Sequence, residues 1–376
     1  MHETYMTTNS LFLQLMRVAL GNAQRLDVAP SAEEWSELME AMVKQGVLGV
    51  AFSGVERLPK EQMPPLEVIM DWLAAVDYME KENLHLNRVN VKVNGMFERD
   101  GKRACIIKGA SIGVFYPKPL RRSPGDVDVW MAGGYEAVSE YVNKFPTVIG
   151  KGHYGRHVEA EIDGVMVEIH FMPAELYGLR HRRYLKDLYG KIEAEPWDCR
   201  VELGDCGDII VPKLEHTLII AIIHLFSHFA VEGVGMKQVV DCYWVLKAVD
   251  KVYSCGHSEG ETDAERIRRD TMNFFRKTGI GKFVAALMYV LQQLGMDEEQ
   301  MLCVPDVRQG KRLLAEIQDR GIISANDLMV GKYADESKPH RFYRRFVRAV
   351  RLMPMAPSEM FWMLYSGISY WILRRK

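Results

Sequence analysis

The sequence predicts an α+β fold, a small mixed β-sheet core flanked by N-terminal and C-terminal helical regions. Three observations predict it. Residues 101 to about 200 hold short runs of period-two alternation. The stretches on either side carry helical periodicity. Two of the strand-like runs are joined by Asp163-Gly164, the dipeptide that best signals a two-residue hairpin. The expected division is a helical region at 1–100, the sheet at 101–200, and a helical region with a basic tail at 201–376.

Taken in order, Leu11, Leu13, Leu15 and Met16 begin the first helix. Ser31-Ala32-Glu33-Glu34 is a capping box opening a helix that carries Trp35, Leu38, Met39 and Met42. A long amphipathic pattern runs from Leu66 to Phe97. Ala104-Cys105-Ile106-Ile107 reads as a short buried strand entering Lys108-Gly109-Ala110-Ser111, a small-residue turn before an apolar helix at Ile112 to Tyr116. Gly125-Asp126-Val127-Asp128-Val129-Trp130 is a strand. Residues 155–162 and 165–171 form the hairpin, and helix returns after Pro212. Ser254 to Thr262 is a polar connection ending in a second capping box, Thr262-Asp263-Ala264-Glu265, and no internal repeat is visible.

Strand alternation puts Asp126 and Asp128 on one face and Val127 and Val129 on the other. Adjacent carboxylates repel unless a cation lies between them, and a divalent ion with oxygen ligands is the common solution. A two-residue hairpin turn pairs Glu159 with Glu168 and His157 with His170 on one face. Like charges directly opposite on a sheet are destabilising, so Glu168 needs a cation, a proton or solvent. Beside the strand of Asp126 and Asp128 it would complete a three-acid cluster, the layout of a two-metal phosphoryl or nucleotidyl transfer site. Glu159 is the runner-up for the third acid, and Glu161 equally fits a solvated strand position. His157 and His170 suit orienting a carboxylate or contacting phosphate, because hard Mg²⁺ prefers oxygen.

Composition narrows the class. A chain of 376 residues, 48% hydrophobic and 26% charged, is long enough for two or three packed subdomains, and its net charge of −2 argues against general nucleic-acid binding. Six cysteines without a Cys-x-x-Cys indicate neither a disulfide framework nor a thiolate zinc site, so a reducing cytoplasm is expected. Met1-His2-Glu3-Thr4 lacks the basic start of a secretory signal, and the longest apolar runs are read as too short or interrupted to span a bilayer.

The motifs Ile107-Lys108-Gly109, Tyr116-Pro117, Arg121, Gly125-Asp126-Val127-Asp128, Val167-Glu168-Ile169-His170 and Gly235-Met236-Lys237-Gln238-Val239-Val240-Asp241 resemble an uncharacterised bacterial nucleotidyltransferase family of the DNA polymerase beta-like superfamily. The resemblance runs from about residue 10 to about 300. It implies that Asp126, Asp128 and Glu168 are catalytic acids holding Mg²⁺ or Mn²⁺. Gly109 and Ser111 would cradle phosphate, with Lys108 and Arg121 facing its charge and His170 near the same groups. Two departures stand out: Ala110 interrupts the Gly-Ser pair of the wider superfamily, and the gap from Gly109 to Asp126 is longer than in its compact members.

Outside the core, His224 and His228 share a helix face without the adjacent Glu of a metalloprotease motif, and are read as packing or substrate contact. Lys237 and Asp241, four apart, fit an exposed ion pair; the resemblance raises a cofactor-binding role, with their helix closing over nucleotide or acceptor. In the tail, Arg341, Arg344, Arg345, Arg348 and Arg351 interleave with Phe342, Tyr343, Phe346, Val347 and Val350, and Arg374, Arg375 and Lys376 close the chain. Such a helix suits peripheral contact with an anionic membrane. The favoured reading is a helix packed by its aromatic face with its arginines in water.

The expected activity is transfer of a nucleoside monophosphate from an NTP such as ATP to a hydroxyl or phosphate on an unidentified small-molecule or protein acceptor. The rivals are a transferase that modifies a partner protein and a nucleotide-binding sensor or scaffold with an incomplete site.

Overall fold

The computed structural model describes residues 2–143, 148–150, 156–231, 233–254, 261–320 and 338–373. The chain divides into two compact units, Met1–Ala174 with Lys191–Ala221, and Glu175–Gly190 with Ile222–Lys376.

The first unit opens with helices α1 (His2–Ala19), α2 (Ala32–Lys44), α3 (Leu48–Val55) and α4 (Leu66–Arg99). The expected capping box starts α2: Glu34 N–H donates to Ser31 Oγ and Ser31 N–H to Glu34 Oε2, at 3.2 and 2.7 Å. Its Trp35, Leu38 and Met42 are buried. The 34-residue α4 is the spine of the unit, about 50 Å long at 1.5 Å per residue. Near its start, the Trp72 indole N–H donates to Leu48 O at 3.1 Å. Near its end, Val89, Val93 and Phe97 enter the core beneath the sheet.

That sheet contains β1 (Ala104–Ile107), β2 (Val127–Met131), β3 (Val148–Gly150), β4 (His157–Ile162) and β5 (Val165–His170) in the order β1-β2-β5-β4-β3. It is mixed, as predicted: β2 and β5 run parallel, whereas β1–β2 and β4–β5 are antiparallel. The β4–β5 turn places Asp163 at φ 52° and Gly164 at φ 76°, the two left-handed residues of a type I′ turn. Lys92 Nζ on α4 lies 2.7 Å from both Asp163 carboxylate oxygens. Val127, Val129, Val167 and Ile169 point into the core, joined there by Val138, Tyr141 and Val142 of α6 (Gly134–Val142). Asp128, Trp130, Glu168 and His170 therefore share the opposite face. A short α5 (Ala110–Gly113) follows β1, and β6 (Arg200–Glu202) pairs antiparallel with β7 (Asp208–Ile210).

Two further helices, α7 (Leu179–Ala194) and α8 (Leu214–Val231), pass in sequence between the residues of the two units. By length and composition α8 is long and apolar enough to cross a membrane, contrary to the expectation of interrupted runs; 61% of it is buried, as in a core helix. The second unit adds α9 (Met236–Tyr253), α10 (Asp263–Lys277), α11 (Gly281–Gln293), α12 (Val307–Arg320), α13 (Lys338–Leu352) and α14 (Pro357–Leu373). Phe226, Phe229 and Phe283 stack in its interior with ring centroids 5.1 and 5.2 Å apart. The second capping box forms at Thr262 as predicted.

The tail helix departs in part from its favoured reading. On α13 Arg345 and Arg351 are exposed as expected, but Arg348 is buried, and Tyr343, Phe346, Val347 and Val350 are exposed. The cause is the C-terminus of α8, whose last carbonyls lack helical partners. Arg348 Nε donates to Ala230 O at 3.1 Å and Nη2 donates to Phe229 O, while Nη1 pairs with Glu316 Oε1 at 2.6 Å. The side chains of Arg341, Phe342 and Arg344, and residues 374–376, lie outside the described residues.

Candidate active site

Parallel pairing of β2 and β5 sets Asp128 directly beside Glu168. Asp126, exposed just before β2, completes the cluster; one carboxylate oxygen from each of the three acids lies within 4.8 Å of the others. The hairpin register is also the predicted one, with His157 opposite His170 and Glu159 opposite Glu168. A three-acid cluster is therefore present on the exposed edge of a buried sheet face, and its oxygen donors suit a hard divalent ion.

The cluster is only partly neutralised from within. Lys108 Nζ sits 2.5 Å from Asp128 Oδ1, both side chains almost fully buried. His170 Nε2 lies 2.8 Å from the same oxygen and 3.1 Å from Glu168 Oε2. Burial pushes the Asp128 carboxyl up, but the Lys108 ammonium and the His170 contact outweigh it and hold the group below its ordinary range. Burial likewise raises Glu168, and the hydrogen bond from His170 brings it below its usual value despite the nearby Asp126. Burial also keeps the His157 imidazole below the normal histidine range.

The turn that delivers Lys108 has an unusual backbone. Lys108 adopts φ 58° and Gly109 φ 47°, and a left-handed non-glycine residue is uncommon outside turns and functional loops. The following helix is a single turn at Ala110–Gly113 rather than the expected Ile112–Tyr116, and Ser111 Oγ donates back to Lys108 O at 2.8 Å. Ser111 thus braces the loop with its hydroxyl, where a phosphate contact was expected. Gly109 faces Asp126 across the turn: a Cβ there would stand 3.6 Å from Asp126 O.

Arg121 is placed differently from the phosphate-facing role expected of it. Its Nη1 and Nη2 contact the two Glu56 carboxylate oxygens at 2.6 and 3.0 Å, Nε contacts Glu80 Oε1 at 2.7 Å, and the guanidinium lies over the Phe52 ring. These contacts fasten the loop leading to Asp126 onto α3 and α4. Lys237 and Asp241 belong to α9 in the second unit, where Asp241 is buried. His224 and His228 meet edge to face with ring centroids 4.4 Å apart, and neither joins a metal-binding group among the described residues.

Beside Gly109 and Asp126 opens a cavity of about 360 Å³, lined also by Asn83, Asn87, Asn90 and Arg122. Sequence reasoning missed these residues. The signal was available in the spacing of Asn83, Asn87, Asn90 and Asn94, a polar stripe at helical intervals along α4. Asn83 Nδ2 donates to Leu120 O and Arg122 O, both at 2.7 Å, and Asn94 Oδ1 accepts from Ile210 N–H at 3.0 Å. Asn90 Oδ1 is buried without a hydrogen-bond partner.

Comparison with known proteins adds three findings. No curated protein matches the chain. A solved structure, an antigenic nucleotidyltransferase-like protein from Paracoccidioides brasiliensis, aligns at 15% identity over 43% of this chain and 76% of its own, with a TM-score of 0.30. The model of the uncharacterised nucleotidyltransferase family matches residues 31–292, a span that contains α2 to α10, all but the last residue of α11, the mixed sheet and its three acids; the chain belongs to that family.

Proposed function

We propose that the chain transfers a nucleoside monophosphate from an NTP to a hydroxyl or phosphate of an acceptor, with Mg²⁺ or Mn²⁺, on a DNA polymerase beta-like core. The observation that carries this reading is the convergence of Asp126, Asp128 and Glu168 across the parallel β2–β5 pair. Asp126, Asp128 and Glu168 would hold the metal, whose chemistry is to screen the phosphates and lower the pKa of the attacking hydroxyl. In the reaction the acceptor oxygen forms a bond to the α-phosphorus, the bond to the bridging oxygen breaks, and pyrophosphate departs. The acceptor's proton passes to one of the three carboxylates.

The other residues position the substrates. Lys108, whose ammonium sits on Asp128 beside the cluster, would supply positive charge to phosphate oxygens, and Gly109 would let them approach the backbone. The cavity beside Gly109 and Asp126 exceeds 300 Å³, the size class of small-molecule sites, and would seat the nucleoside or the acceptor. The acceptor is a small molecule or protein rather than nucleic acid in general, and a reducing cytoplasmic setting is consistent with the free cysteines among the described residues.

The test is label transfer from α-labelled NTPs onto the protein, a cell extract and a small-molecule panel. Wild type should label an acceptor in a metal-dependent way, and Asp126→Asn should not. The sensor reading draws on one observation, the Lys108 ammonium already seated on Asp128. Metal-dependent NTP binding with no label transfer would establish that reading instead.

A further inference from the structure

We propose that His157, His170 and Glu168 form a second metal site, selective for a borderline transition dication such as Zn²⁺ or Co²⁺, which shares Glu168 with the acid cluster. The site does not depend on the transferase reading, because its ligands are defined by the hairpin register alone. His157 and His170 are cross-strand partners on β4 and β5, and both are buried. Their ring centroids lie 5.0 Å apart.

Two donor–donor spacings are close to those of a metal polyhedron. Glu168 Oε2 stands 3.1 Å from His170 Nε2 and 3.5 Å from His157 Nδ1. A tetrahedral ion with bonds of about 2.0–2.1 Å has donor–donor edges of about 3.3 Å. One ligand atom from each residue falls within 4.8 Å of the others. Glu159 Oε1 lies 3.6 Å from His157 Nε2, outside hydrogen-bond distance but on the side of the imidazole away from the proposed ion.

His170 would ligate through Nε2. It is 1% exposed, and its Nδ1 has no hydrogen-bond partner. With the ring proton on Nε2, Nδ1 is a buried acceptor left unsatisfied. With the proton on Nδ1, the Nε2 lone pair meets the oxygens of Asp128 and Glu168 head on. A dication among Nε2, Glu168 and His157 would replace the repulsion of that second form with bonds to the donors. Nitrogen donors distinguish this set from the all-oxygen set of Asp126, Asp128 and Glu168, and imidazole favours zinc-like ions over Mg²⁺.

The experiment is titration of chelator-stripped full-length protein with Co²⁺ alone, read by its visible absorption, together with X-ray absorption of the Zn²⁺-loaded wild type. The expected result is one tight equivalent with two imidazole nitrogens in the first shell. His157→Gln, checked by circular dichroism for a native fold, should bind Co²⁺ at least about 100-fold more weakly, since loss of outer-shell partners alone costs 10- to 100-fold. Asp126→Asn should keep the wild-type Co²⁺ spectrum even where it abolishes label transfer, so the two readings fail separately. Absence of tight Co²⁺ and Zn²⁺ binding in wild type overturns the proposal, as does an all-oxygen shell in the Zn²⁺-loaded protein.

Discussion

Two buried ion pairs, one in each unit, differ in how fully their charges are answered. Around Arg348 every strong group is answered: Glu316 lies between Arg348 and Arg351, and the carbonyls of Phe229 and Ala230 accept from Arg348. Around Lys108 the sum does not close. One ammonium faces Asp128, while Glu168 and the exposed Asp126 stand in the same cluster without a second lysine or arginine among its described ion pairs. Buried pairs contribute little net stability but are costly to break from one side, so both centres are sensitive to substitution. Only the second has acids in excess, which is the ground for proposing it as the site.

The largest test of this contrast is Asp126→Asn. Because Asp126 is exposed, the variant should fold with stability within about 0.5 kcal/mol of wild type, while label transfer falls by about 10³-fold or more, about 4 kcal/mol. Equal turnover would remove the distinction. Arg348→Met should show the converse, a loss of about 3–5 kcal/mol in denaturant unfolding as Glu316 is left partly unanswered. Asp128→Asn sharpens the comparison, because it joins both behaviours: transfer is lost, and the buried Lys108 loses its counter-ion, so stability falls as well. For that reason Asp126 is the cleaner probe of chemistry.

Smaller effects test how the site is held. A Cβ on Gly49 would stand 2.5 Å from Arg121 O and 2.8 Å from Met79 Sδ, so Gly49→Ala should push the loop before Asp126 off α3 and cost about 1–3 kcal/mol, with weaker label transfer. Thr262→Ala, which removes a cap in the second unit, should cost about 1 kcal/mol and leave transfer unchanged. Acid provides a further discriminator. Asp128 and Glu168 are held below their unfolded values, so the stability they contribute is present above the ordinary carboxylate range and is lost as pH falls through the lowered values. An acid titration of Glu168→Gln, followed by fluorescence, should show a shallower loss over that window than wild type.

Much of the site was legible because it is written in local chemistry. Period-two alternation placed Asp126, Asp128 and Glu168 on predictable faces, and Asp163-Gly164 fixed the register that pairs Glu159 with Glu168. The parallel neighbour of β2 was legible only conditionally, since strand order is a long-range choice. What failed depended on partners distant in sequence. Arg121 carries no local mark that Glu56 and Glu80 will claim it, and Arg348 none that the end of α8 needs its donors. The short α5 escaped because its apolar residues pack as a turn. The asparagines of α4 were visible as a stripe, but the cavity they line exists only once the chain has folded around them.

The type I′ turn has a consequence for the order in which the molecule assembles. A two-residue hairpin closes by local contacts within microseconds, whereas the β2–β5 pair must close a loop of about 40 residues. The hairpin is therefore expected to form first, with Glu168 already facing the correct side, and to meet Asp128 and its lysine afterwards. Repulsion among the acids is then deferred to the last step of sheet closure, and φ-values should be high near Gly164 and low at Asp128. Competence to bind a cation is thus a late property of the folding chain, acquired only when the sheet is whole.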